Sequence, residues 1–387
     1  MTDDPQAPYA AALASLPLMT VRRLTTLIGA GAPEAVWRTV AGGGARSLPG
    51  LAGVLGASVA EVSSRWAEAA GHQDVSASWA QLRDAGRSAV WFGGPGYPSR
   101  LAADPEPPPV LFVEGALDQI AGPAAALVGT RAATGYGRDV ARLLGRQLAE
   151  AGVVVVSGLA LGIDGAAHEG ALAAVGAPPV AVVGSGLDVV YPRRHSRLWQ
   201  RVARAGVVVT EAPPGAAPEP WRFPLRNRVI AGLSDVVVVV ESRATGGSMH
   251  TVDHAHARGR PVLAVPGSIM SGQSTGTNQL LAEGATPVRD ADDVLVALSL
   301  AGTWSAAGRP GSVAVEPEPE PEPALDRIAS LVLEAVDWTP TRTDEILRRT
   351  GLSLSAAAVT LTRLEVLGRV RGGGGWWERR SHADRSP

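Results

Sequence analysis

Six short apolar runs set the frame of this chain: Ala124–Val128, Val153–Val156, Val180–Val183, Val207–Val209, Val236–Val240 and Val262–Val265. They show almost no polar alternation, which marks strands buried on both faces and hence a parallel sheet. The stretches between them are long enough to hold helices. Strands alternating with helices predict an α/β domain over residues 123–300, an extended Rossmann-like, doubly wound, mostly parallel sheet.

The flanks follow other periods. Val21–Leu24–Leu27–Ile28 and Val54–Leu55–Val59–Val62–Trp66 recur at helical spacing, so residues 1–75 read as a small helical domain of the SAM or helix-hairpin-helix type. Residues 76–122 read as a bridging segment, stiffened by Pro98 and by the prolines between 105 and 109, with a short strand at 110–113. Residues 301–324 read as a Pro/Glu-rich linker, because Glu316–Pro323 is an uninterrupted Glu-Pro repeat that favours an extended, solvated chain. Residues 325–380 predict a winged-helix-like unit. Helices are expected at Leu325–Val336, Thr343–Thr350 and Ser355–Leu367, followed by a Gly-rich turn between short strands at Arg371–Trp377.

Composition narrows the chemistry. With 387 residues, of which 45% are hydrophobic, there is material for a sizeable core. Cysteine is absent, which removes disulfides, thiolate metal sites and a cysteine nucleophile. All 35 basic side chains are arginine, so neither a Walker P-loop nor a Schiff-base lysine is available. The formal net charge is −2, so any nucleic-acid site must be a local patch. No run reaches the length of a membrane span. The acidic, Pro-rich Met1–Tyr9 lacks the features of a signal peptide. A cytoplasmic location without membrane attachment is expected.

In open α/β sheets, ligands bind beyond the carboxyl ends of the strands. Those loops carry Gly129–Thr130–Arg131, Ser157–Gly158, Gly184–Ser185–Gly186, Thr210–Glu211, Glu241 with Gly246–Gly247–Ser248, and Pro266–Gly267. Glycines let an anion approach the backbone, and helix N-termini offer free N–H groups. The third glycine of a dinucleotide fingerprint is missing after Gly186. Trp221–Arg228 interleaves aromatics with arginines. This suits single-stranded nucleic acid, and it equally suits a helix start with a solvated basic face. Asp164 and His168 are spaced i, i+4, as are His250 and His254, but no third ligand follows at a recognised spacing, and no metal is expected. Asp164 is expected to cap the helix that follows it. Glu211 and Glu241 end neighbouring strands. They could act as an acid–base pair, bond loop amides, or pair with Arg131.

Taken together, these blocks resemble the DNA processing protein A family (DprA/Smf). The residues that carry the resemblance are Gly129–Thr130–Arg131, Ser157–Asp164 with Ala167–His168 and Gly170–Leu172, Tyr191–Pro192, Phe223–Ser234 and Pro266–Gly267. The resemblance implies a homodimer that binds single-stranded DNA without catalysis or cofactor and helps load the recombinase RecA during natural transformation. It implies a DNA pocket built from Gly129, Thr130, Arg131, Ser157, Gly158, Phe223, Arg226, Asn227, Arg228, Gly247 and Ser248. Because lysine is absent, a pocket lysine of the family would be replaced by Arg193 or Arg194, with Arg194 taken as the candidate. A nucleotide-processing Rossmann enzyme of the lysine-decarboxylase-like phosphoribohydrolase type is the alternative, using acids such as Glu211 or Glu241. A duplex-reading winged helix is a third reading. It is disfavoured because Ser355–Leu367 carries Arg363 as its sole basic residue.

Overall fold

The computed structural model describes residues 4–305 and 325–380. The expected Glu-Pro repeat of the linker lies outside these residues.

The described residues begin with six α-helices: α1 (Ala7–Ala14), α2 (Val21–Gly29), α3 (Pro33–Ala41), α4 (Leu51–Leu55), α5 (Val59–His72) and α6 (Val75–Asp84). Their starts follow from local chemistry. The Thr20 side chain accepts the Arg23 N–H at the start of α2, Pro33 opens α3, and Asp74 accepts the Ala77 N–H at the start of α6. Leu13, Leu27, Val40, Leu51 and Trp66 are fully buried between them. Trp66 satisfies its indole N–H on the Pro17 carbonyl at 2.8 Å.

The segment expected as a bridge is part of the main sheet. It supplies β1 (Arg87–Trp91), α7 (Ser99–Ala102) and β2 (Val110–Gly115), with β1 antiparallel to β2 and β2 antiparallel to β6. After β2 come β3 (Ala124–Gly129), α8 (Gly135–Glu150), β4 (Val154–Ser157), α9 (Ile163–Ala173), β5 (Val180–Val182), α10 (Ser196–Ala205) and β6 (Val207–Thr210). The domain continues through α11 (Arg222–Leu233), β7 (Val236–Glu241), α12 (Met249–Ala257), β8 (Val262–Ala264), α13 (Thr275–Ala282), β9 (Thr286–Pro287) and α14 (Ala291–Leu300). The strand order is β1-β2-β6-β5-β4-β3-β7-β8-β9, and β3 to β9 pair in parallel. The valine runs are buried on both faces because helices cover both sides. Each fully buried valine is worth about 1.5–3 kcal/mol relative to exposure.

Two apolar clusters pack against opposite faces of this sheet, one with α8, α9 and α14, the other with α11 and α12. A third runs from the N-terminal helices through Ala89 and Phe112 to Trp199 and Val202 of α10, so the helical domain and the sheet share a core. The chain ends in α15 (Arg327–Ala335), β10 (Thr341–Arg342), α16 (Thr343–Thr350), α17 (Leu354–Val366), β11 (Val370–Gly373) and β12 (Trp376–Arg379). Its three strands pair antiparallel in the order β10-β12-β11. Three helices and this small sheet form a winged helix.

Candidate functional site

The order of the strands decides where a ligand can sit. From β3 the chain builds outward through β4, β5 and β6, then returns to lay β7 against the other side of β3. Loops diverge at such a switch point and leave a crevice beyond the carboxyl ends of the strands. A groove of about 620 Å³ opens there. Its walls include Gly129, Thr130 and Arg131 after β3, Tyr191, the first turn of α11, and Arg243 with Gly246, Gly247 and Ser248 after β7.

Arg131 is exposed at the end of β3. Its guanidinium carbon lies 4.8 Å from the Phe223 ring centroid, a cation–π contact. The Tyr191 ring packs against the same phenyl ring at 5.5 Å. Phe223 is therefore half-buried and held on its sides rather than lost in the core. Asn227 lies one turn on along α11 and donates to the Gly247 carbonyl at 3.2 Å, which fixes the far lip of the groove. A Cβ at Gly247 would meet nothing within 4 Å. The protein's own packing does not demand a glycine here, so the open backbone is available to a ligand.

Arg226 forms the floor. It is buried and donates to the Gly158 carbonyl at 2.8 Å and to the Val182 carbonyl. A Cβ at Gly158 would come within 2.2 Å of this guanidinium, so glycine is required for the approach. Burial lowers Arg226 to about 10, offset in part by attraction to Asp164, which leaves it charged at neutral pH. Asp164 does not cap α9 as expected. Gly162 occupies that position, and the Asp164 carboxylate accepts the Gly158 N–H at 3.1 Å. The short β4–α9 loop folds back over the first turn, which brings the carboxylate to the loop amide. Burial pushes this carboxyl up, and Arg226 opposes the shift.

The structure thus brings Gly129, Thr130, Arg131, Phe223, Arg226, Asn227, Gly247 and Ser248 into one groove, with Gly158 in an adjoining recess. It places three expected residues elsewhere. Ser157 is fully buried and spends its hydroxyl on the Leu127 carbonyl at 2.6 Å. Arg228 points to the other side of α11, where it bonds the Glu106 carbonyl and the Glu211 carboxylate. Arg194 is exposed and lies outside the groove lining, which its loop reaches through Tyr191. Ser248 lines the groove, but its hydroxyl donates to Ser242 at 2.8 Å.

The two carboxylates do not form an acid–base pair. Glu241 accepts both the backbone N–H and the hydroxyl of Thr134, each at 2.8 Å. Glu211 is held by Arg228, although burial pushes its carboxyl up to about 7. His168 is fully buried, and burial drives its imidazole down to about 3, which keeps it neutral. Among the described residues, no three His, Asp or Glu side chains converge as a metal-binding group. Arg243 and His250 line the groove and were not expected there. The run Glu241–Ser242–Arg243 contained the signal, because a residue two past a strand end belongs to the same loop edge as its glycines.

Comparison with known proteins now bears on this geometry. The profile described as DNA recombination-mediator protein A matches residues 88–299, which is more than half the chain. The chain belongs to the DNA processing protein A family. A second profile, the DprA winged helix domain, matches residues 316–375. The putative DNA processing protein DprA of Mycobacterium tuberculosis is 41% identical over 266 residues, 67% of this chain and 65% of that protein. The chain therefore matches just under two thirds of that relative's length. DprA of Bacillus subtilis is 36% identical over 216 residues, 56% of this chain and 72% of its own. The crystal structure of DprA from Streptococcus pneumoniae superposes with a TM-score of 0.60 at 33% identity, covering 74% of this chain and 95% of the other. Membership in the DprA family disfavours the nucleotide-processing alternative. Among the described residues, no helix is long and apolar enough to cross a membrane.

Proposed function

We propose that this chain binds single-stranded DNA in the groove between β3 and β7 and acts there as a recombination mediator without catalysis. The observation that carries this reading is the exposed Arg131 lying over Phe223 at the mouth of a glycine-lined groove. A guanidinium takes a phosphate as a planar fork, and an aromatic ring stacks an unpaired base. A paired base is already stacked and cannot use the ring in this way. The engagement of Glu211 with Arg228 and of Glu241 with Thr134 supports a non-enzymatic role. The rest of the reading, a cytoplasmic homodimer that hands single strands to the recombinase RecA, rests on the family resemblance, and the family's description as a recombination mediator supports the hand-over.

Fluorescence anisotropy with labelled oligonucleotides tests this directly. Single strands should bind more tightly than duplex of equal length, with little base preference. Arg131→Ala should lower the salt slope by about one. Equal affinity for duplex and single strand would overturn the proposal, as would hydrolysis of nucleotides that Glu241→Gln abolishes.

A further inference from the structure

A larger cavity lies on the other side of the start of α11. It is a cleft of about 700 Å³ between the N-terminal helices and the sheet. Leu18 and Leu24 form one wall, and Val182, Val183 and Val229 form the other. Its charged side chains are Arg22, Arg222 and Arg226, against the single carboxylate of Glu211, which Arg228 holds. Trp221 stands on the rim 54% exposed, with the Arg222 guanidinium 4.5 Å from its ring. Nε of Arg222 and Nε of Arg226 are buried without a hydrogen-bond partner in the described structure. Arg226 itself is only 7% exposed and borders both the cleft and the groove.

The two cavities adjoin one small recess. A recess of about 40 Å³ shares Arg131 and Phe223 with the groove, and Val183 and Gly184 with the cleft. We propose that this cleft is a second nucleotide-binding surface, taking unpaired bases of the strand that leaves the Arg131 groove. The inference rests on the DNA-binding reading of that groove. Apolar walls and an exposed indole suit bases better than a free phosphate. The excess of arginine suits an anionic chain, and the indole beside it suits one that carries bases. The volume matches that of ordinary small-ligand sites, about 300–1,000 Å³. The helical domain thereby lengthens the DNA footprint.

Full-length chain carrying Arg22→Glu and Trp221→Ala together tests the assignment. Both residues are exposed, so an unchanged melting temperature checks the fold, and Arg22→Ala serves as a milder second variant. Anisotropy is read with oligothymidylates of about 6 and about 20 nucleotides. The cleft variant should lose at least about fivefold affinity for the longer strand and less than about twofold for the shorter. Arg131→Glu should weaken both. Photocrosslinking of iododeoxyuridine placed near one end of the long strand should label the peptide containing Trp221. Wild-type affinity of the cleft variant at both lengths overturns the second site and leaves the groove standing. Failure of the wild type to bind either oligonucleotide overturns the groove reading itself.

Discussion

The groove between β3 and β7 and the outer face of α17 are two surfaces of this chain that the sequence raises for nucleic acid, and their chemistry is opposite. The groove sets the exposed Arg131 and Arg243 around an aromatic ring and open glycine backbone, with Arg226 buried in its floor. The corresponding face of α17 exposes Leu354, Val359 and Val366, and its Arg363 is tied to Asp326. Phosphate binding depends on cations that are free to release counterions. An arginine paired to a carboxylate on its own domain contributes little to that release. The contrast shows that a domain type does not carry function by itself. The side chains on the relevant face do.

Charge reversal tests the contrast hardest. Arg131→Glu should weaken single-strand binding about a hundredfold at low salt, an effect that fades as salt rises. Unchanged anisotropy titrations would move the site away from β3. Phe223→Ala should cost about 1–3 kcal/mol per lost stacked base, and Phe223→Trp should largely restore binding. An alanine variant that binds normally would identify Phe223 as packing alone.

Acid should separate the two regions in stability. His168 is held neutral with its folded value near 3, below the ordinary 6.5. Its contribution is therefore present above pH ~6.5 and lost as pH falls toward the folded value, about 2 kcal/mol by pH ~5. The described winged helix contains no histidine. Urea unfolding at both pH values should show this loss in the wild type and not in His168→Gln. Equal acid sensitivity in the two proteins would place the cause elsewhere.

Smaller effects complete the series. Gly247→Ala should lower affinity about threefold with an unchanged melting temperature, since its added methyl meets the ligand rather than the protein. A drop in melting temperature would show a structural glycine instead. Val359→Asp on α17 should leave DNA affinity within about twofold. A large loss there would break the contrast.

The sheet was legible because valine runs without polar alternation have one physical explanation, burial on both faces. The β1 strand was not, since only Ala89 among its five residues is fully buried and the surrounding prolines dominate the pattern. Two-residue β9 is exposed and carries no apolar signal. In the site, the block from 221 to 228 pointed to the right helix but not to its faces. On an α-helix residues four apart share a side, and residues two apart diverge by about 200°. Phe223 and Asn227 thus face the groove together, Arg222 and Arg226 border the cleft, and Arg228 turns away to Glu211. A helical wheel drawn on that block separates these roles. It cannot supply Arg243, which enters the groove through a loop across the switch point.

The core shared by the N-terminal helices and α10 has a consequence for how the molecule opens. Trp91 of β1 donates to Asp4 at 2.7 Å, and one apolar cluster runs without a break from Leu13 to Val202. Elements that share a core open together, and their amide protons exchange with solvent through the same event. The amides of α1 and α5 should therefore exchange as slowly as those of β2, although the segments are far apart in sequence. Cutting the chain after residue 86 would strip Phe112 of its cover rather than release a free-standing sheet.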